Sequence, residues 1–420
     1  MSYQRSNLDN GLRIASEVIA GSETAAFAIA VDVGARDESL EENGLSHLLE
    51  HMAFKGTARM NAKQIAEEFD MMGGNVNAYT SHEHTVYEAK VLKEYGTDAL
   101  RLLCEIVAES NFDASELERE REVVLQEIAM HQDSPDDLVF DLYQTMAFGD
   151  APLGRSILGE PARVAKFTRD DLLSYTAKHY QPSRLVIAGA GAVNHDEMHE
   201  VAQQFFGNRV DVKRTTPRTN GAYVGGEKTL EKELEQVQLA LGFPAVSAVD
   251  PDYYATQVLV TILGGGMSSR LFQEVREKRG LAYSVSAFAQ GYQDVGLVGV
   301  YAGTTPEHVA ELMVALKEVL GEFKNSLSAP DLLRAKNQLK ANLVMSRENC
   351  GAVAEWIARH IHIYGRYRTA PELLAEIDKV SEADIARLAD QFFNHAMPVV
   401  TALGPVGSVS NAKLASRLAA

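Results

Sequence analysis

The stretch His47-Leu48-Leu49-Glu50-His51 decides how the rest of the chain is read. Two histidines four apart lie on one face of a helix, so both imidazoles reach one metal ion. Glu50, three residues after His47, lies on the same side and can polarise a water at that metal. This is the inverted H-x-x-E-H arrangement of metallopeptidases. The bland alternative is a buried helix carrying two hydrogen-bonded histidines. The flanks weigh against it. Asn43-Gly44 is a loop signal, and Leu45, Leu48, Leu49, Met52 and Phe54 give the segment an apolar side. On a packed helix two unpartnered imidazoles are costly, and a shared metal removes the cost.

A third ligand is needed, and the run from Asp113 to His131 offers several. Asp113 or Ser115 can cap its start, and acidic residues fill its first turns. Glu120 and Glu127 are seven apart and share a face two turns apart. One can ligate while the other holds a ligand histidine from behind. Spacing does not choose between them. Glu127 with His131 is another possible pair, and His82 and His84 compete as well. Glu116, Glu118 and Glu122 read as a solvated face.

Composition narrows the class. At 420 residues the chain should hold two or more domains. The apolar fraction of 46% is ordinary for a globular protein. No apolar run approaches the roughly 20 residues that span a membrane. Met1-Ser-Tyr-Gln-Arg-Ser6 has no signal-peptide features. Cys104 and Cys350 are far apart and in no metal or redox spacing, so a reducing cytoplasm is expected. The net charge of −18 argues against nucleic-acid binding. It would favour basic peptides if it lined a cavity, although solubility accounts for most of it.

The chain repeats itself. Lys166-Phe-Thr-Arg-Asp-Asp-Leu-Leu precedes the apolar run Leu185–Val193, and Lys379-Val-Ser-Glu-Ala-Asp-Ile-Ala precedes Val399–Val406. Each copy reads as a capped helix, with Thr168 and Ser381 as caps, followed by a short strand. Ala25–Val33 and Gln236–Phe243 are matching strands earlier in each copy. Residues 210–222 are polar and lack periodicity, which makes them a linker. The expectation is an α+β protein of two similar domains, 1–209 and 223–420. Each is a mostly antiparallel sheet packed with helices.

Several stretches together resemble the pitrilysin and mitochondrial processing peptidase family of inverted-motif zinc peptidases. They are Leu8-Asp-Asn-Gly-Leu-Arg13, Gly44–Thr57, Gly74-Asn-Val-Asn-Ala-Tyr-Thr80, Glu120–Ile128 and Leu263-Gly-Gly-Gly-Met-Ser-Ser-Arg-Leu-Phe272. The resemblance implies one Zn²⁺ per chain held by His47, His51 and Glu127, with Glu50 as general base on a zinc-bound water. It implies Glu120 as the supporting glutamate. It further implies an edge strand at Asn77 and Ala78 that pairs with substrate. Arg276 and Tyr283 match a substrate-holding pair, and Asp137 and Asp141 fall near positions that read an arginine close to the cleavage site. Two similar halves would close like a clamshell around a peptide. The function implied is a zinc-dependent endopeptidase acting on peptides or unfolded segments. The most similar members are single-gene bacterial ones, which implies a cytoplasmic homodimer without membrane insertion. The competing readings are a non-catalytic structural or peptide-binding subunit of the same fold, and the catalytic half of a heterodimer.

Overall fold

A computed structural model describes residues 2–214 and 218–407. Its strands form two sheets. The first contains β1 (Ser2–Asn7), β2 (Arg13–Val18), β3 (Thr24–Val31), β4 (Asn75–Thr80), β5 (Thr85–Leu92) and β6 (Leu185–Gly191). Their spatial order is β1-β2-β6-β3-β5-β4. The second contains β7 (Gly226–Glu231), β8 (Val237–Ala245), β9 (Ala282–Gly291), β10 (Gly296–Thr304) and β11 (Val399–Gly404), in the order β7-β11-β8-β10-β9.

The duplication is visible in these orders. Apart from β1, the strands β2-β6-β3-β5-β4 correspond one by one to β7-β11-β8-β10-β9. Each sheet has one parallel pair, β2 with β6 and β7 with β11, and is otherwise antiparallel. The repeated caps agree. The amide of Asp171 donates to Thr168 Oγ1 and that of Asp384 to Ser381 Oγ, each at the start of a helix. Each carboxylate bonds back to the cap's own amide, which satisfies two otherwise orphaned donors.

Strand β3 shows how the first core is layered. Successive side chains alternate faces. Phe27, Ile29 and Val31 point into a core with Leu48, Leu49, Leu100 and Leu103. Ala26, Ala28 and Ala30 point the other way, with Ala188 and Ala190 beside them. These small residues let a helix lie close, and helix Cys350–Tyr364 fills the place with Val353, Ala354, Ile357, Ala358 and Ile361. The second sheet receives helix Pro135–Phe148, whose Val139, Tyr143 and Ala147 pack with Ala240, Leu297 and Leu403.

The units are therefore not contiguous halves. One comprises Met1–Ile128, Arg155–Arg218 and Met345–Arg368; the other comprises Ala129–Gly154, Thr219–Val344 and Thr369–Ala420. This differs from the simple boundary expected at 209 and 223, because each sheet takes its covering helix from the sequence half of the other. The expected linker carries no helix or strand among its described residues, and Thr215, Thr216 and Pro217 lie outside them.

Candidate metal centre

The site lies within the first unit. Helix Leu45–Ala53 carries His47, Glu50 and His51. It begins at Gly44, whose φ of +97° is left-handed and favours glycine. Leu45, Leu48, Leu49 and Met52 are buried and fix the helix against the core, which turns both histidines to its other side. Their rings are 4.7 Å apart, nearly edge to face.

Helix Ala114–Asp133 brings the carboxylates. Asp113 Oδ1 accepts from the amides of Ser115 and Glu116 and caps its start. Glu127 faces the outer nitrogens of both histidines. Its Oε1 is 3.6 Å from His47 Nε2, and its Oε2 is 3.3 Å from His51 Nε2. Chiefly through the hydrogen-bonding approach of His47, the Glu127 carboxyl is held below the ordinary range and stays an anion.

Glu120, two turns earlier, reaches the other nitrogen of His51. Its Oε2 is 3.3 Å from His51 Nδ1, and its Oε1 is 2.7 Å from Lys55 Nζ. A carboxylate behind a ligand imidazole fixes the tautomer and the ring orientation. The two glutamates, which spacing left equivalent, thus differ in the ring nitrogens they meet.

One ligand atom each from His47, His51 and Glu127 lie within 4.8 Å of one another, the only such set of three His, Cys or acidic groups among the described residues. Two imidazoles and one carboxylate are a fitting donor set for zinc with an open position. The buried His47 Nδ1 has no hydrogen-bond partner among the described residues.

The other candidates stand apart from this group. His84 stacks on His362 at 5.3 Å, and His82 Nε2 is 3.3 Å from the carbonyl of Arg155. Burial pushes both histidines down, to about 4 for His82 and about 3 for His84. His131 lies in the second unit, 3.9 Å from Asp141.

Glu50 lines a groove of about 400 Å³ with His51, Glu120, Asn77 and Ala78, and Phe54, Ile65, Phe69 and Val76 form its apolar wall. One oxygen of Glu50 accepts a 2.6 Å hydrogen bond from Thr80 Oγ1. Thr80 went unnoticed in the sequence, since nothing local links it to a helix thirty residues earlier. Asn77 and Ala78 lie on β4, which ends its sheet and pairs only with β5 among the described strands.

The remaining candidates belong to the second unit. Arg276 sits in a π-helical turn, Phe272–Lys278, with its guanidinium 4.7 Å over Phe272 and 4.5 Å over Tyr283. Tyr283 is 76% exposed at the start of β9, the edge strand corresponding to β4. Asp137 is exposed in the first turn of helix Pro135–Phe148, and Asp141 lies one turn on.

The family profile described as "Insulinase (Peptidase family M16)" matches residues 13–161, and "Peptidase M16 inactive domain" matches 166–339. The chain belongs to peptidase family M16. An uncharacterized zinc protease of Bacillus subtilis is 36% identical to this M16 chain, covering 96% of it and 100% of that protein. A probable mitochondrial-processing peptidase subunit beta of Arabidopsis thaliana is 37% identical over 95% of the chain and 78% of its own length. Among solved structures, a protease from Helicobacter pylori shares the fold with a TM-score of 0.87, at 23% identity, covering 96% of this chain and 99% of that one. A peptidase M16 inactive domain from Pseudomonas fluorescens aligns with a TM-score of 0.88 at 20% identity, covering 96% and 98%. No helix among the described residues is long and apolar enough to cross a membrane.

Proposed function

We propose that this M16 chain is a zinc-dependent endopeptidase of short or unfolded peptides, with Glu50 as its general base. The reading is carried by the convergence of His47, His51 and Glu127 beside a groove that Glu50 lines. Zinc, when bound, supplies a Lewis acid that polarises the scissile carbonyl and acidifies water. His47, His51 and Glu127 would hold it, while Glu120, itself paired with Lys55, orients His51. Glu50 takes a proton from the attacking water and delivers it to the leaving amine. Thr80 fixes one oxygen of that carboxylate and leaves the other for the proton.

The free edge of β4 at Asn77 and Ala78 suits an extended peptide, which would add as a further strand. The apolar wall of the groove suits an apolar side chain. Arg276 and Tyr283 are proposed to donate hydrogen bonds to substrate carbonyls, and Asp137 and Asp141 to receive a basic side chain. Arg276→Ala is expected to raise KM by about tenfold, the loss of one charge-assisted hydrogen bond, at unchanged zinc content. An unchanged KM would remove Arg276 from this role.

The deciding experiment measures metal content of the purified protein beside cleavage of a mixed peptide library, with and without chelator. About one zinc per chain and chelator-sensitive cleavage are expected, and cut sites enriched in nearby arginine would support Asp137 and Asp141. Neither zinc nor cleavage would favour a structural subunit. We also propose a cytoplasmic homodimer as the working species; a sedimentation mass of one chain in the same active preparation would overturn the dimer.

A further inference from the structure

We propose that Glu38 is a positioning residue of the metal centre, holding the N-terminal turn of the ligand helix in register. The proposal rests on the zinc reading above. Helix Leu45–Ala53 is short, and the residue at its N-cap is Gly44, which has no side chain to satisfy the first amides. Glu38, six residues earlier, does this instead. Its Oε2 accepts from the amide of Gly44 at 2.9 Å and its Oε1 from that of Ser46 at 2.7 Å. Asn43 Nδ2 donates to Oε2 at 3.2 Å. The carboxylate is 2% exposed, so water does not substitute for it.

Ser46 directly precedes His47, so the Glu38 bond fixes the backbone that carries the first ligand. The Ser46 hydroxyl meets Tyr175 at 2.7 Å and adds a second anchor to the same turn. Glu38 itself stands on a fixed base. Asp37 is gripped by Arg218, with contacts of 2.8 and 3.0 Å, and by Arg214 at 2.7 Å. Arg36 pairs with Glu83 at 2.6 Å in a buried contact, and Arg155 donates to the Glu38 carbonyl at 3.2 Å. N–H donors reach both oxygens of the Glu38 side chain, the Ser46 amide at Oε1 and the Gly44 amide and Asn43 Nδ2 at Oε2, so only a carboxylate accepts from all of them. A glutamine at this position keeps the volume but turns an NH₂ toward at least one of these donors. Burial pushes the Glu38 carboxyl up to about 7, so the comparison is made well above that pH, where it is ionised.

The test is zinc affinity by chelator competition for wild type, Glu38→Gln and Glu38→Asp, at a temperature where circular dichroism shows each folded. Outer-shell partners of metal ligands typically contribute about 10–100-fold in affinity, and Glu38→Gln is expected to lose that much. Glu38→Asp keeps the charge but is shorter, and should fall between. A residue that only stabilises the fold would lower the melting temperature and leave zinc affinity unchanged. Wild-type affinity in Glu38→Gln overturns the proposal. Should that variant not fold, wild-type affinity in Glu38→Asp does the same. Failure of the wild type to bind zinc would instead refute the metal reading.

Discussion

Glu50→Gln is expected to lower kcat by about 10²–10⁴-fold, the usual contribution of a positioned general base, while zinc content stays at the wild-type level. The two halves of this result have separate structural causes. Glu50 is not among the three groups whose ligand atoms converge, so its loss leaves the donor set intact. Glutamine has nearly the same shape, and its amide oxygen can still accept from Thr80, so the groove keeps its form. What disappears is the ability to take a proton. Kinetics and metal analysis on one preparation check both halves. Full turnover in the variant would remove Glu50 as the base, and zinc loss would place it among the ligands.

Glu127→Ala is expected to cost more zinc affinity than Glu120→Ala, and to abolish peptide cleavage at ordinary zinc concentrations. Glu127 approaches the outer nitrogens of both histidines, whereas Glu120 meets only the inner nitrogen of His51. Removing a ligand takes away a metal bond. Removing a supporting carboxylate frees a ring that still binds, at a cost of roughly 10–100-fold. Glu120→Ala should therefore remain active when zinc is added in excess, and Glu127→Ala should not. Competition titration against a chelator gives the two affinities directly. The reverse order would exchange the roles of the two glutamates.

The parts of this site that could be read from the sequence are those set by helical spacing. His47, Glu50 and His51 fall on one side of one helix whatever surrounds them. Glu120 and Glu127 were equally placed by the same rule, because residues seven apart share a face. Only the depth at which the two helices cross decides which carboxylate meets which nitrogen. Thr80 and Glu38 were missed for a related reason. Each acts across a turn of chain with no periodic signature, although an acidic residue just ahead of the Asn43-Gly44 helix start was a usable hint of a cap. The helix and strand pairs of both copies were legible as capped helices followed by short apolar runs. Which sheet each helix covers was not, since the apolar stripe of Val353, Ile357 and Ile361 fits either sheet until tertiary packing selects one.

That selection has a consequence for the order of events during synthesis. The alanine face of the first sheet is closed by residues that lie in the last fifth of the chain. A ribosome that has released the metal-ligand helices has not yet released their unit's missing wall. Domains generally fold as units during translation, but this one must wait until Ile361 has emerged. The nascent chain thus carries His47, His51 and Glu127 long before it owns a finished scaffold. A peptidase assembled in this way gains its hydrolytic power only when nearly all of it has been made, and a fragment ending at the linker would carry the chemistry without the body that holds it.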